Sequence, residues 1–197
     1  MTGARLIYLV KLVRDSLDER DLQAMRRLDR GLERRKTDRG PGLLLGLQAG
    51  DTHTGLKQAD TIAMRGSRDY RRLDRKLGTI RESLNRNARN SRRQVTPHMD
   101  YEDGLIKYVY LLREIPESPE FRVVKFLIDH DERDPEAEVP TAAPGDLYNI
   151  TAMPELRQAF ARTDATADKE YTVDIWGTFL SAYVPVLDAN GEQVEVL

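Results

Sequence analysis

The sequence contains no cysteine, which excludes disulfides and thiolate metal centres and leaves the redox compartment open. It has one tryptophan and three histidines, and aromatic residues make up only 7% of it. His53, His98 and His130 stand far apart, without the short spacings of metal-ligating pairs. No stretch approaches the ~20 apolar residues of a membrane-spanning helix. Leu6-Ile-Tyr-Leu-Val10 and Leu12-Val13 are interrupted by Lys11 and lead to no cleavage-type end, so a secretory signal is not expected. The motifs G-x-S-x-G, H-E-x-x-H and the P-loop are missing, and Gly40-Pro-Gly42 is a helix breaker, not a phosphate cradle. No enzyme activity, catalytic residue, cofactor or metal is expected.

What the chain has is charge, at 32% of residues, divided unevenly along its length. Met1–Asp100 holds 23 Lys and Arg against 13 Asp and Glu, a balance of +10, and Tyr101–Leu197 holds 8 against 20, a balance of −12. Such a split can dock a basic helix on an acidic domain, or make neighbouring subunits attract. The Arg14–Arg39 stretch interleaves acids with its bases and reads as a solvated, salt-bridged surface. Arg26-Arg27, Arg34-Arg35-Lys36, Arg71-Arg72 and Arg92-Arg93 lack an aromatic platform apart from Tyr70, and no nucleic-acid partner is expected.

Periodicity divides the chain the same way. Ala4–Lys36 reads as one long helix, with Val10, Val13, Leu17, Met25, Leu28 and Leu32 near one stripe that drifts around Asp21. Asp-Arg-Gly40-Pro41-Gly42 ends it. Further helices are expected over Leu56–Arg65 and Asp69–Arg89, the second with Tyr70, Leu73, Leu77, Ile80 and Leu84 on one face and Ser67 as N-cap. Asn85–Thr96 reads as a loop or a fraying helix end.

Beyond Asp100 the period falls to two. Ile106, Tyr108, Tyr110 and Leu112 form one face of a strand, and a second strand, from Phe121 to Ile128, follows across Pro116-Glu-Ser-Pro119. Asp129–Gly145 is an acidic, Pro-rich loop. Pro154 opens a short helix with Leu156 and Phe160 inward. A strand over Thr178–Leu187, the turn Asp188-Ala-Asn190-Gly191 and a strand over Gln193–Leu197 make a hairpin. The fold class is α+β, a PAS-like antiparallel sheet preceded by long N-terminal helices, with residues 1–50 as a helical extension and 51–197 as the sheet domain.

Candidate site residues come from the second half. Tyr171, Asp174 and Trp176 can hold an amine through cation–π and charge-assisted contacts, or can form a structural corner. Tyr108, Tyr110 and Tyr183 either line a cavity or pack the sheet. Asp129 either binds a ligand or caps the turn that follows, and Tyr148 either closes over a ligand or packs on the sheet. His130 among Asp129, Asp131, Glu132 and Asp134 lacks the glycine of a calcium loop, so a solvated acidic loop is the simpler reading.

These segments resemble the Cache family, the PAS-like extracytoplasmic sensor domains of bacterial receptors, histidine kinases and nucleotide cyclases. The resemblance is carried by Ile106-Lys-Tyr108-Val-Tyr110, Phe126-Leu-Ile-Asp129, Pro144-Gly145-Asp-Leu-Tyr148 and Pro154-Glu-Leu-Arg-Gln-Ala-Phe160. It is carried most by Tyr171-x-x-Asp174-x-Trp176-Gly177 with Ser181-Ala-Tyr183-x-Pro185. Leu111 and Phe179 depart from the pattern, and Leu197 falls inside what should be the last strand, as in a fragment. The resemblance implies a small-molecule-sensing input domain of a transmembrane signalling protein, extracytoplasmic although this chain has no span. It implies a ligand between the sheet and Asp131–Tyr148, and an output domain outside the chain. The N-terminal helix is the expected homodimer contact. A ligand-free structural or dimerisation module of the same fold is the alternative.

Overall fold

The long N-terminal helix is two helices. In the computed structural model, which describes residues 3–36, 44, 46–95, 106–118, 122–130, 142–174, 177–191 and 193–197, α1 (Gly3–Asp15) and α2 (Glu19–Arg35) meet at a corner. Asp18 caps α2: its carboxylate accepts from the Asp21 N–H at 3.0 Å, and the Asp21 carboxylate accepts from the Asp18 N–H at 2.9 Å. This reciprocal box satisfies donors that a continuous helix would have bonded internally, so it starts a new helix where the apolar stripe drifts.

Two further helices follow a short strand, β1 (Thr52–His53). They are α3 (Gln58–Gly66) and α4 (Arg68–Val95), so α4 continues through the stretch expected to be loop or fraying end. Ser67 caps α4, its hydroxyl accepting from the Tyr70 N–H at 3.2 Å. Tyr70, Leu73 and Leu77 are buried, with Ile80 and Leu84 packed beside them.

The main sheet has six antiparallel strands in the order β1-β4-β3-β2-β10-β9. It uses β2 (Val109–Glu114), β3 (Val123–His130), β4 (Leu147–Asn149), β9 (Pro185–Leu187) and β10 (Gln193–Val196). Consecutive hairpins, β2–β3 and β9–β10, are joined by a crossover that contains the short helix α5 (Pro154–Ala161). Gly191, at φ +79°, supplies the left-handed residue of the last turn. The architecture is α+β, with the N-terminal helices on one side of the sheet.

The expected strand Thr178–Leu187 is divided. Gly177–Phe179 (β7) pairs with Thr172–Asp174 (β6), and Ala182–Tyr183 (β8) pairs with Thr166–Ala167 (β5), before the chain enters the main sheet as β9. Pro185 can donate no ladder hydrogen bond, and it opens β9 at a change of partners.

Each sheet face has its own core. On the helix side, Val13, Ala24, Met25, Leu28 and Leu32 pack with Leu73, Leu77, Leu111 and Leu127 in one cluster. The apolar stripe of α2 is therefore used against the sheet and α4. On the other side, Leu112, Val124, Phe126, Tyr148 and Val196 pack under Leu156, Ala159 and Phe160 of α5. Asp146 ties the layers at one edge, accepting from the Gly55 N–H (3.2 Å) and the Ala143 N–H (2.7 Å). A Cβ on Gly55 would stand 1.7 Å from the Gly145 carbonyl oxygen, so only glycine fits this crossing.

Candidate functional site

The β2–β3 ladder slips once. Leu111 opposes Ile128 while Leu112 opposes Phe126, which leaves Leu127 as the extra residue of a bulge in β3. The bulge decides the site. Counting by twos from Lys125 would put Asp129 on the helix side; the extra residue puts it opposite Tyr110, on the α5 side. His130 then faces the helices, where its Nδ1 lies 2.8 Å from Asp74 Oδ1 and its ring lies over Gly78. Asp129 and His130 therefore serve opposite faces. Asp131, Glu132 and Asp134 of the same loop lie outside the described residues.

Four of the sequence candidates meet on the α5 side. Tyr110 packs edge-on to Phe126, with ring centroids 5.8 Å apart, and Phe126 lies 5.7 Å from Tyr148. Tyr148 is a residue of β4, not of the acidic loop where the pattern put it, because Leu147–Asn149 pairs with Val123–Lys125. Tyr183 is 2% exposed and belongs to the same cluster. Asp129 closes the group from beside Tyr110 and accepts from the Ala142 N–H at 3.2 Å.

Asp168 is the residue the sequence does not advertise. It lies just after β5 and is buried, and its Oδ2 accepts from the Tyr183 hydroxyl (3.3 Å) and the Ser181 N–H (2.9 Å). Burial raises the Asp168 pKa above the usual carboxylate range, against the hydrogen bonds from Ser181 and Tyr183. Burial also raises the Tyr183 pKa, reinforced by Tyr110 and Asp168, so the phenol stays protonated and donates. Nothing in the spacing of Asp168 marks it, since the β5–β8 pairing that carries it to Tyr183 spans a non-local turn of the chain.

The remaining candidates lie elsewhere. Tyr108 precedes β2 and packs edge-on to Phe179 of β7 at 5.2 Å, with the Lys107 ammonium 5.0 Å from its ring centroid. It thus leaves the strand face it was expected to share with Tyr110. Tyr171 is 70% exposed beside β6 and makes no part of the aromatic cluster. Asp174 ends β6 opposite Gly177, while its side chain and the whole of Trp176 lie outside the described residues.

A second buried polar group joins the sheet to α2. Lys125, 2% exposed, reaches Asp29 at 2.6 Å and pairs with Glu33. Arg113 reaches Glu195 (3.2 Å) and Asp29 (3.5 Å). Burial pushes the Glu195 carboxyl up to about 8, against the pull of Arg113 and Lys125. A lysine amid the apolar run of β3, and a glutamate between two valines of β10, are the signals that betray this cluster. Among the described residues, no three histidines or carboxylates gather as a metal site. Likewise, no helix among them is long and apolar enough to cross a membrane.

No protein-family model matches the chain, and no curated protein or solved structure matches it significantly.

Proposed function

We propose that the chain is a small-molecule-sensing domain whose ligand is received on the α5 side of the sheet, beside Tyr110 and Asp129. One observation carries this reading: the register places the half-buried Tyr110 opposite Asp129, on the same face as Tyr148, Tyr183 and Asp168. Aromatic rings next to carboxylates, with phenol hydroxyls among them, suit amines, amino acids and polyols. The antiparallel hairpins joined through α5 agree with the Cache resemblance, which supplies the sensing role, the extracytoplasmic location and an output domain beyond the chain. The mechanism is a population shift, in which a ligand with different affinity for two arrangements of this face favours one of them.

Thermal unfolding against a panel of amines, amino acids, carboxylates, purines and sugars tests the proposal. A ligand at 100-fold excess over its Kd stabilises by about 2.7 kcal/mol, a shift of a few degrees at this size. One chemical class is expected to shift the wild type, and Asp129→Asn is expected to lose the shift while unfolding at a similar temperature in buffer. The absence of any shift across the panel would sink the sensing role.

A ligand-free dimerisation module is the second reading. The tight packing favours it: Phe126, Tyr148 and Tyr183 are 3%, 4% and 2% exposed and fill the face between them.

A further inference from the structure

The outward face of α4 holds a feature unrelated to the aromatic cluster. Arg68, Arg71, Arg72, Arg75 and Lys76 line one concavity of about 670 Å³, with the Thr79 hydroxyl at its end. Two of the five cations are fixed from behind. Arg72 Nε donates to Asp21 Oδ1 at 2.9 Å, and Lys76 pairs with Asp21 and, at 3.7 Å, with Asp18. Asp21 is completely buried, so it holds this wall of the groove in place.

Arg68, Arg71 and Arg75 are exposed, and among the described residues no carboxylate pairs with them. The nearby acids bond elsewhere, Asp69 to Arg27 (2.8 Å) and Asp74 to His130 (2.8 Å), although Asp69 also feels the charge of Arg68. The sequence thus places Arg68 against Arg72 and Arg71 against Arg75 at i,i+4 spacing, where like charges repel.

We propose that this groove binds a compact anion carrying adjacent phosphate groups. Guanidinium forks match phosphate oxygens two at a time. The Cα atoms of Arg68 and Arg75 stand about 10 Å apart along the axis, so long arginine arms converge on one oligophosphate. The nearest aromatic on α4, Tyr70, is buried and offers no platform for stacked bases, which sets the site apart from a single-strand channel.

The test is calorimetric titration of inorganic tripolyphosphate into the full chain at low and moderate salt. Wild type is expected to bind, with affinity falling steeply as salt rises. The double variant Arg71→Gln/Arg75→Gln is expected to bind at least tenfold more weakly and to unfold at the wild-type temperature, since both side chains are exposed. No binding at low salt, unchanged binding by the variant, or equal affinity for sulfate would overturn the proposal. Tighter binding of oligothymidylate or of phosphatidylglycerol vesicles than of tripolyphosphate would overturn the compact-anion assignment in favour of a polymer or a membrane surface.

Discussion

Placing Glu195 beneath α2 removes its carboxylate from water, and the two cations near it are shared with Asp29 and Glu33. Glu33 is also paired with Lys36 at 2.8 Å, so it is burial more than a surplus of acids that raises the Glu195 carboxyl. A carboxyl whose pKa is higher folded than unfolded binds its proton more tightly in the folded state. Its stabilising contribution is therefore fully present below the ordinary value of 4.5 and is lost as pH rises through about 8. Asp146 and Asp168, also raised by burial, act in the same direction. Glu195→Gln keeps an acceptor for Arg113 without the charge. Urea denaturation is expected to show the variant close to wild type at pH 5 and more stable at pH 9, by up to ~4 kcal/mol. Equal pH dependence in the two proteins would refute a protonated Glu195.

Among the elements, the seat of His130 on α4 gives a measurable sign. Alanine in place of glycine within a helix ordinarily stabilises by ~1 kcal/mol. At Gly78 the added Cβ would stand 2.5 Å from His130 Nε2, and the ring is tethered to Asp74. Gly78→Ala is expected to lose about 1–3 kcal/mol in urea denaturation. In a His130→Ala background the same change is expected to stabilise, because the clash is gone. The contact also shows where sequence reading reaches its limit. Helix faces such as Tyr70, Leu73 and Leu77, the hairpin at Asn190-Gly191 and the strand character of Tyr110 are local patterns, and they were legible. The corner at Asp18 was not, since two aspartates three apart are also ordinary helix-surface residues. The bulge at Leu127 was not, because a run of apolar residues on both faces gives no parity to count. Asp168 stayed hidden because its partner, Tyr183, lies 15 residues away along the chain.

Taken as one body, the molecule packs residues from both sides of position 50 together. Met25, Leu28 and Leu32 share a cluster with Leu111, Leu127 and Ile128, and Lys125 is neutralised from α2. A chain restricted to 51–197 would expose that apolar face and leave a buried lysine unpaired. It is expected to lack near-ultraviolet circular dichroism and dispersed amide resonances; a cooperative unfolding transition in that fragment would show an autonomous sheet domain. The bulge in β3 has one more consequence. It divides the strand's end between two layers: Asp129 and His130 are successive residues aimed at opposite sides, one carboxylate beside the aromatic cluster and one imidazole lying directly on helix backbone at Gly78. No side chain at position 78 cushions that contact. The helix that receives the imidazole is the one whose outer face carries the arginines.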